Sequence, residues 1–170
     1  MKDLEKKTYF IIIRGPAAVG KTTIAKILAE KLNANIIDID KLLEKYGLDM
    51  VDPKQGQIDE KSLLKINEIV IPEAIKKLKQ GKIIIFDGNF YSKNQLEHLI
   101  NKIKFKSFVF TLKANVEECI ERDKTRKVLG EKNIRDVHKL VSKFDYGIII
   151  DTNNKSTEKI VNEIISYLPK

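Results

Sequence analysis

A glycine-rich run with one lysine and two threonines lies near the amino terminus of this 170-residue chain. It fits the pattern G-x-x-x-x-G-K-[ST], in which backbone N–H groups and a lysine bind nucleotide phosphates. We expect Lys21 to reach the β- and γ-phosphates and the Thr22 hydroxyl to coordinate Mg²⁺. The residues predicted to bind the nucleoside triphosphate are Gly15, Pro16, Ala17, Ala18, Val19, Gly20, Lys21, Thr22 and Thr23.

Two acidic residues, Asp38 and Asp40, follow the second apolar run of the chain. In an extended segment, residues i and i+2 share one face, so one acid can lie at the site while the other caps the next helix. An acid there would accept a proton from a substrate hydroxyl or hold Mg²⁺ through water. We predict that Asp40 is the catalytic acid and that Asp38 binds metal. The opposite assignment, and a simple N-cap role for Asp40 before the helix 41–46, stay open.

A third carboxylate, Asp87, directly follows the apolar residues 83–86. A buried strand that ends in aspartate is typical of a carboxylate placed beside the metal of a nucleotide site. Asp87 is therefore predicted to bind metal together with Thr22 and Asp38. Asn89 would hydrogen-bond substrate or form part of a turn.

Arginine is rare in this chain, and three of its four arginines lie between residues 122 and 135. Arg122 and Arg126 are spaced i, i+4, so they share one face of a helix. Arginine in a lysine-rich chain favours bidentate phosphate recognition. We predict a lid over 122–135 in which Arg122 and Arg126 stabilise charge on the transferred phosphoryl group. The alternative is surface pairing with Asp123 or a neighbouring glutamate, and Arg135 is either a third contact or a surface residue.

The loop after the last apolar run begins with Asp151 and Thr152. Ligands of open α/β sheets bind outside the carboxyl ends of the strands. Both residues are therefore predicted to contact the nucleotide, and the alternative is a plain connecting loop.

Short apolar runs alternate with helical patterns along the whole chain, which predicts a doubly wound parallel α/β sheet with helices on both faces. No linker is visible, so residues 1–170 are expected to form one domain. Residues 47–60 are predicted to be a loop, and a helix over about 59–80 is expected to kink or break at Pro72. Residues 41–80 should form much of the acceptor pocket. The predicted strands are at about 8–14, 35–39, 82–87, 106–112 and 147–151.

Composition limits the cellular setting and the partners. The net charge of +8 comes from 32 basic and 24 acidic residues, which favours a solvated Lys/Glu surface. The alternative is a field that steers polyanions such as nucleic acid, but no nucleic-acid motif supports it. A single cysteine, Cys119, excludes a disulfide framework, and we expect it to be buried by packing. The absence of a long apolar run or a secretory leader predicts a cytoplasmic protein with no membrane partner.

Taken in order, these motifs resemble those of the small P-loop kinases. The zeta-toxin-like and chloramphenicol-phosphotransferase-like kinases and the polynucleotide kinase domain are most similar, and adenylate, shikimate and gluconate kinases are more distant. The resembling segments are 15–23, 38–42, 84–90 and 122–126. The resemblance implies a three-layer P-loop NTPase fold with a five-stranded sheet of order 2-3-1-4-5, a small lid, and Mg-ATP. It also implies transfer of the γ-phosphoryl group to a hydroxyl of a small acceptor, with Asp40 taking the acceptor proton.

The chain departs from the nucleotide-kinase pattern on the acceptor side. Asn89 and Phe90 stand where adenylate kinases have Arg-Pro, and no arginine lies between Gly15 and Glu121. This disfavours a nucleoside monophosphate or shikimate and favours a neutral acceptor or one held by lysine. The alternatives are a nucleoside or nucleotide kinase, a 5′-hydroxyl polynucleotide kinase, and a non-enzymatic ATP-dependent switch.

Overall fold

Five parallel strands form the central sheet, and two short antiparallel strands form a separate hairpin. The computed structural model describes residues 8–170. The strands are β1 (Tyr9–Arg14), β2 (Asn35–Asp38), β3 (Val51–Asp52), β4 (Gln57–Ile58), β5 (Ile84–Asp87), β6 (Lys106–Lys113) and β7 (Ile148–Asp151).

Helices cover both faces of the sheet, as the continuous apolar runs of its strands require. The helices are α1 (Lys21–Leu32), α2 (Ile39–Lys45), α3 (Glu60–Lys79), α4 (Lys93–Ile103), α5 (Val116–Arg126), α6 (Glu131–Val141) and α7 (Thr157–Ser166). Alternate residues of β1 point to opposite faces: Ile11 and Ile13 pack with α1 and α7, whereas Phe10 and Ile12 pack with α3 and α4. Cys119 is buried in the first of these cores, as expected.

The sheet order is β2-β5-β1-β6-β7. This is the predicted order 2-3-1-4-5, because the β3–β4 hairpin does not pair with the sheet. The register places Asp87 opposite Ile13 of β1 on one side and opposite Asp38 of β2 on the other. The carboxyl ends of β1, β2 and β5 therefore meet at one edge, where the sequence places its acids. Among residues 8–170, no helix has both the length and the apolar character needed to cross a membrane.

The structure corrects two predictions between β2 and β5. Residues 47–60 contain the β3–β4 hairpin rather than only a loop, and Gly56 closes its turn by donating to the carbonyl of Asp52. Of the predicted kink or break at Pro72, the break is wrong, since α3 runs without interruption from Glu60 to Lys79. An interior proline costs about 3 kcal/mol. Five buried Leu, Ile and Val side chains of α3 outweigh that cost, because each contributes about 1.5–3 kcal/mol.

Candidate active site

The glycine-rich run connects β1 to α1 and forms a turn at the carboxyl end of the sheet. Gly15 has φ +156°, and a Cβ there would lie 2.8 Å from the carbonyl oxygen of Leu112. Gly20 is the N-cap of α1 with φ +106°, a conformation that L side chains rarely adopt. The first N–H groups of α1 lack intrahelical partners and face the turn.

Lys21 is 8% exposed, and its ammonium donates to the carbonyl oxygen of Pro16 at 2.8 Å. Burial lowers the pKa of Lys21, while the carboxylates of Asp40 and Asp87 oppose that effect. The neighbouring Thr22 hydroxyl donates to Oδ2 of Asp87 at 2.9 Å. Burial raises the pKa of Asp87, and Lys21 and Thr22 oppose the rise. The structure thus brings together the lysine, hydroxyl and carboxylate that the sequence assigned to the phosphate and metal end.

Asp38 and Asp40 have different surroundings. Asp38 is the N-cap of α2, where its carboxylate accepts from the N–H of Lys41 at 3.0 Å and lies 3.6 Å from the Lys41 ammonium. The alternative that made Asp40 the N-cap is therefore wrong. Asp40 accepts instead from the N–H of Asn89, at 3.1 and 3.2 Å to its two oxygens. Of the two acids, Asp40 is the one tied to the loop after β5.

Enclosure by protein alters the acidity of Asp40 and of a neighbouring tyrosine. Burial raises the pKa of the Asp40 carboxyl to about 6, although Lys21 and the N–H of Asn89 oppose the rise. Burial and the Asp40 charge raise the pKa of Tyr91 to about 12. Asn89 Nδ2 donates to the Tyr91 oxygen at 2.8 Å, which fixes both side chains beside Asp40. At neutral pH the site therefore holds an ionised Asp40 next to a neutral phenol.

A pocket of about 250 Å³, here called the P-loop pocket, lies on the α1 side of the glycine-rich turn. Arg122 closes one wall by donating to the carbonyl oxygens of Val19 at 2.9 Å and Thr152 at 3.3 Å. Arg126 lines the same pocket one helical turn further on. The lining residues are Val19, Gly20, Thr23, Ile24, Arg122, Arg126, Lys155, Thr157 and Ile160.

The loop after β7 contributes differently from the prediction. Thr152 is fully buried, and its hydroxyl donates to the carbonyl of Lys113. This bond fixes the residue whose own carbonyl accepts from Arg122. Asp151 accepts from the N–H and side-chain amide of Asn153 within its own turn and does not line the P-loop pocket. Lys155 and Thr157 line it instead. Sequence analysis identified this loop, but not which of its residues would turn inward.

The predicted lid segment 122–135 consists of the end of α5, a four-residue connection and the start of α6. Buried Asp123 organises the connection, since its carboxylate accepts from the N–H groups of Leu129 and Gly130. Of the two roles considered for Arg135, the structure shows the surface one. Its guanidinium pairs with Glu117 and Glu131.

A larger cavity of about 590 Å³, here called the hairpin cavity, has Asp40 in its lining. The β3–β4 hairpin, the loop after β5 and α6 form its walls. Among residues 8–170, no lysine, arginine or histidine lines it, so the lining does not provide the lysine considered for the acceptor. The lining residues are Asp40, Leu43, Asp49, Val51, Gly56, Gln57, Ile58, Asn89, Tyr91, Leu129, Asn133, Asp136, Val137 and Leu140.

Comparison with known proteins identifies the family to which this arrangement belongs. Residues 17–169 match the sequence model of shikimate kinase. The chain belongs to the shikimate kinase family. It is also similar to a putative adenylate kinase of Methanocaldococcus jannaschii, at 36% identity over 172 positions that cover 93% of this chain and 85% of the relative. Shikimate kinase 1 of Erwinia tasmaniensis is 27% identical, with 98% of each chain covered.

Solved structures show the same fold for this shikimate kinase family member. A gluconokinase from Sinorhizobium meliloti 1021 superposes with a TM-score of 0.69, covering 94% of this chain and 91% of that one at 13% identity. The resemblance to small P-loop kinases is confirmed, and the chain is an ATP-dependent kinase that acts on a small molecule or a nucleotide. The acceptors named for these relatives differ, so family membership alone does not select one.

The residues of this kinase suit a magnesium ion held largely by substrate. Mg²⁺ keeps several waters and is usually bound through one or two carboxylates plus phosphates. The Thr22 hydroxyl and the Asp87 carboxylate, already 2.9 Å apart, provide such a pair beside the P-loop. Within residues 8–170, no group of three or more His, Cys, Asp or Glu side chains forms an all-protein metal site. Asp38 makes its contacts to the start of α2, so its predicted metal role would have to act through water.

Arg14 is a buried arginine to which sequence analysis assigned no role. It is 0% exposed at the end of β1, and its guanidinium lies 4.2 Å from the ring centroid of Phe144. It donates to the carbonyl oxygen of Val141 at 2.9 Å and to that of Phe144 at 3.1 Å. Burial lowers the pKa of Arg14 to about 10. Arg14 therefore attaches the carboxyl end of α6, one wall of the hairpin cavity, to the strand that precedes the P-loop.

Proposed function

We propose that this kinase transfers the γ-phosphoryl group of ATP from the P-loop to a hydroxyl of a small molecule bound in the hairpin cavity. The position of Asp40 carries the proposal. Its carboxylate lines that cavity, and its charge is close enough to Lys21 to affect the pKa of the lysine. Asp40 is therefore near both the lysine that we propose to bind phosphate and the space that we propose for an acceptor.

In the proposed step, the acceptor oxygen attacks the γ-phosphorus and a new P–O bond forms. The bond between that phosphorus and the β,γ-bridging oxygen breaks, and ADP leaves with the bond electrons. The acceptor hydroxyl proton passes to the Asp40 carboxylate. A pKa near 6 suits this role, since the group is ionised at neutral pH and remains a better base than an ordinary aspartate.

Lys21, Arg122 and Arg126 are proposed to stabilise the charge on the phosphoryl oxygens. Phosphoryl transfer depends mainly on positioning and electrostatic stabilisation, for which preorganised cations are suited. Arg122 donates to two backbone carbonyls and pairs with Glu118, as the surface-pairing alternative expected, and Lys21 is buried beside the turn. Bound Mg²⁺, held by Thr22 and Asp87 with Asp38 acting through water, would neutralise charge on the phosphates.

The test measures acceptor-dependent ADP release and confirms it by phosphorylated product. The panel contains sugars, amino acids, nucleosides, nucleoside monophosphates and 5′-hydroxyl oligonucleotides. Lys21→Ala should abolish transfer, and Asp40→Asn should lower kcat by about 10²–10⁴-fold. The wild-type kcat/KM should also fall below a pH of about 6 as Asp40 takes up a proton. Unchanged turnover in Lys21→Ala, or slow ATP hydrolysis that no acceptor accelerates, would contradict the proposal, and the latter would support a switch.

A nucleotide kinase is the second candidate, because a relative at 36% identity is a putative adenylate kinase. It predicts ADP formation that depends on a nucleoside monophosphate. Nucleic acid as acceptor has less support, and it predicts turnover of 5′-hydroxyl oligonucleotides with strong salt dependence.

A further inference from the structure

The hairpin cavity has the opposite charge from the chain as a whole. The chain carries +8, with 32 basic and 24 acidic residues. Among the described residues, the cavity lining nevertheless contains three carboxylates, Asp40, Asp49 and Asp136, and no basic side chain. The lining is therefore acidic, although the chain as a whole has more basic than acidic residues.

Two of these carboxylates are not neutralised by the protein. Within residues 8–170, Asp49 and Asp136 take part in neither an ion pair nor a side-chain hydrogen bond. Asp49 precedes the hairpin and Asp136 lies on α6, so the two charges come from different walls of the cavity. Both side chains are solvent-exposed, and together with Asp40 they make the lining more favourable for a cationic group than for an anionic one.

None of the four arginines of the chain lines the hairpin cavity. Arg14 is buried under α6, Arg122 and Arg126 line the P-loop pocket, and Arg135 pairs with two glutamates. Arginine is the usual bidentate partner of a carboxylate or phosphate. None is therefore available to bind an anionic group of an acceptor in the hairpin cavity.

The remaining lining groups suit a hydroxylated molecule. Asn89, Asn133 and Gln57 offer amide donors and acceptors, and Tyr91 offers a phenol beside Asp40. The volume of about 590 Å³ is within the range of small-molecule sites, about 300–1,000 Å³.

We infer that the acceptor is a hydroxyl-bearing amine, such as an amino alcohol or amino sugar, whose ammonium group pairs with Asp49 and Asp136 while a hydroxyl faces Asp40. This inference rests on the proposed function, and it names the substrate class of the same cavity. It separates this kinase from relatives named for shikimate and adenylate, whose acceptors carry a carboxylate or a phosphate.

The first experiment compares acceptors of similar size and hydroxyl content that differ in charge. An open-chain series contains glucamine, sorbitol and gluconate, and a cyclic series contains 2-deoxystreptamine, inositol and quinate. Binding is followed by ligand-observed NMR with a non-hydrolysable ATP analogue present, and transfer is followed by ADP release with ATP. The amine should bind and react best in at least one series, the neutral compound more weakly, and the anion least.

The second experiment changes the charge of the cavity. Asp49→Asn and Asp136→Asn should each raise KM for the amine about two- to fivefold, as exposed ion pairs do, with kcat unchanged. Asp136→Lys should shift the preference towards the anion of the same series. Glu44→Gln is the matched control, since it removes one exposed acid of α2 that does not line the cavity, and its KM should be unchanged.

The outcomes separate this inference from the proposed function. Equal or better binding of the anion, or no binding of any amine, overturns the inferred acceptor class. A KM that responds equally to Glu44→Gln and to the cavity variants also overturns it. Preferential binding of the amine without phosphorylation supports the charge preference but contradicts the proposed transfer.

Discussion

Asp40 is predicted to destabilise the folded kinase at neutral pH. Its pKa rises from an ordinary 3.8 to about 6 because the carboxyl group is enclosed by protein. Each pH unit of such a shift corresponds to about 1.4 kcal/mol, so ionised Asp40 costs about 3 kcal/mol of folding free energy. A substitution that keeps the shape and removes the charge should recover much of this cost.

The sign follows from proton binding. The folded state binds the Asp40 proton more tightly than the unfolded chain, so this contribution to the free energy of unfolding falls as pH rises from about 3.8 to about 6. Asparagine has no such dependence, and its side-chain oxygen can still accept from the N–H of Asn89. Asp40→Asn should therefore be more stable than wild type by up to about 3 kcal/mol at pH 8, with little gain near pH 4.

The assay is urea unfolding of both proteins between pH 4 and pH 8, with the slope m compared to check that the unfolded states match. Asp38→Asn is the matched control, because it removes the same charge two residues away and asparagine remains a good N-cap. It should bring no comparable gain. A difference between wild type and Asp40→Asn that does not change with pH, or an Asp40→Asn protein less stable at pH 8, would refute the reasoning.

Two further predictions concern the arginines. Arg122→Lys should lower kcat/KM for ATP at least about tenfold, since lysine cannot hold the carbonyls of Val19 and Thr152 together and still face the phosphates. Steady-state kinetics check this, with the exposed Arg135→Lys expected within about twofold of wild type. Arg14→Lys should destabilise the fold by roughly 2–4 kcal/mol, because an ammonium cannot reach the spread of carbonyls that the guanidinium satisfies. An unchanged urea midpoint for Arg14→Lys would contradict that account.

The donor side of the site was predictable because its chemistry constrains the local sequence. A backbone turn that can surround a phosphate needs glycine where φ is positive, as at Gly20, and a lysine at the start of the next helix. Asp87 was equally visible, because a carboxylate at the end of a buried apolar strand is costly unless a cation or a hydrogen-bond donor meets it. The positions of the five strands followed from the hydrophobic periodicity, whereas their order was implied by the resemblance to small P-loop kinases.

The features that sequence reasoning missed depend on tertiary packing. Pro72 is a local reason to break α3, but burial of one whole face of the helix outweighs it. The hairpin strands have two residues each, too few to show a period of two. In the sequence pattern Arg14 is only the last residue of a strand. The fold alone shows that its guanidinium donates to the carbonyl of Val141 at the end of α6. Lys155 rather than Asp151 faces the P-loop pocket because Asp151 is held within its own turn.

The acceptor side could not be found from spacing, because distant segments assemble it. Asp49, Asp136 and Asn89 belong to three different connections or helices, and no short motif relates them. A family name does not replace that assembly, since relatives named for shikimate and for adenylate both match this chain over most of its length. An acidic cavity lining in a basic protein, with none of the four arginines in that lining, is a property of the folded molecule, and it is the observation from which we infer the acceptor class.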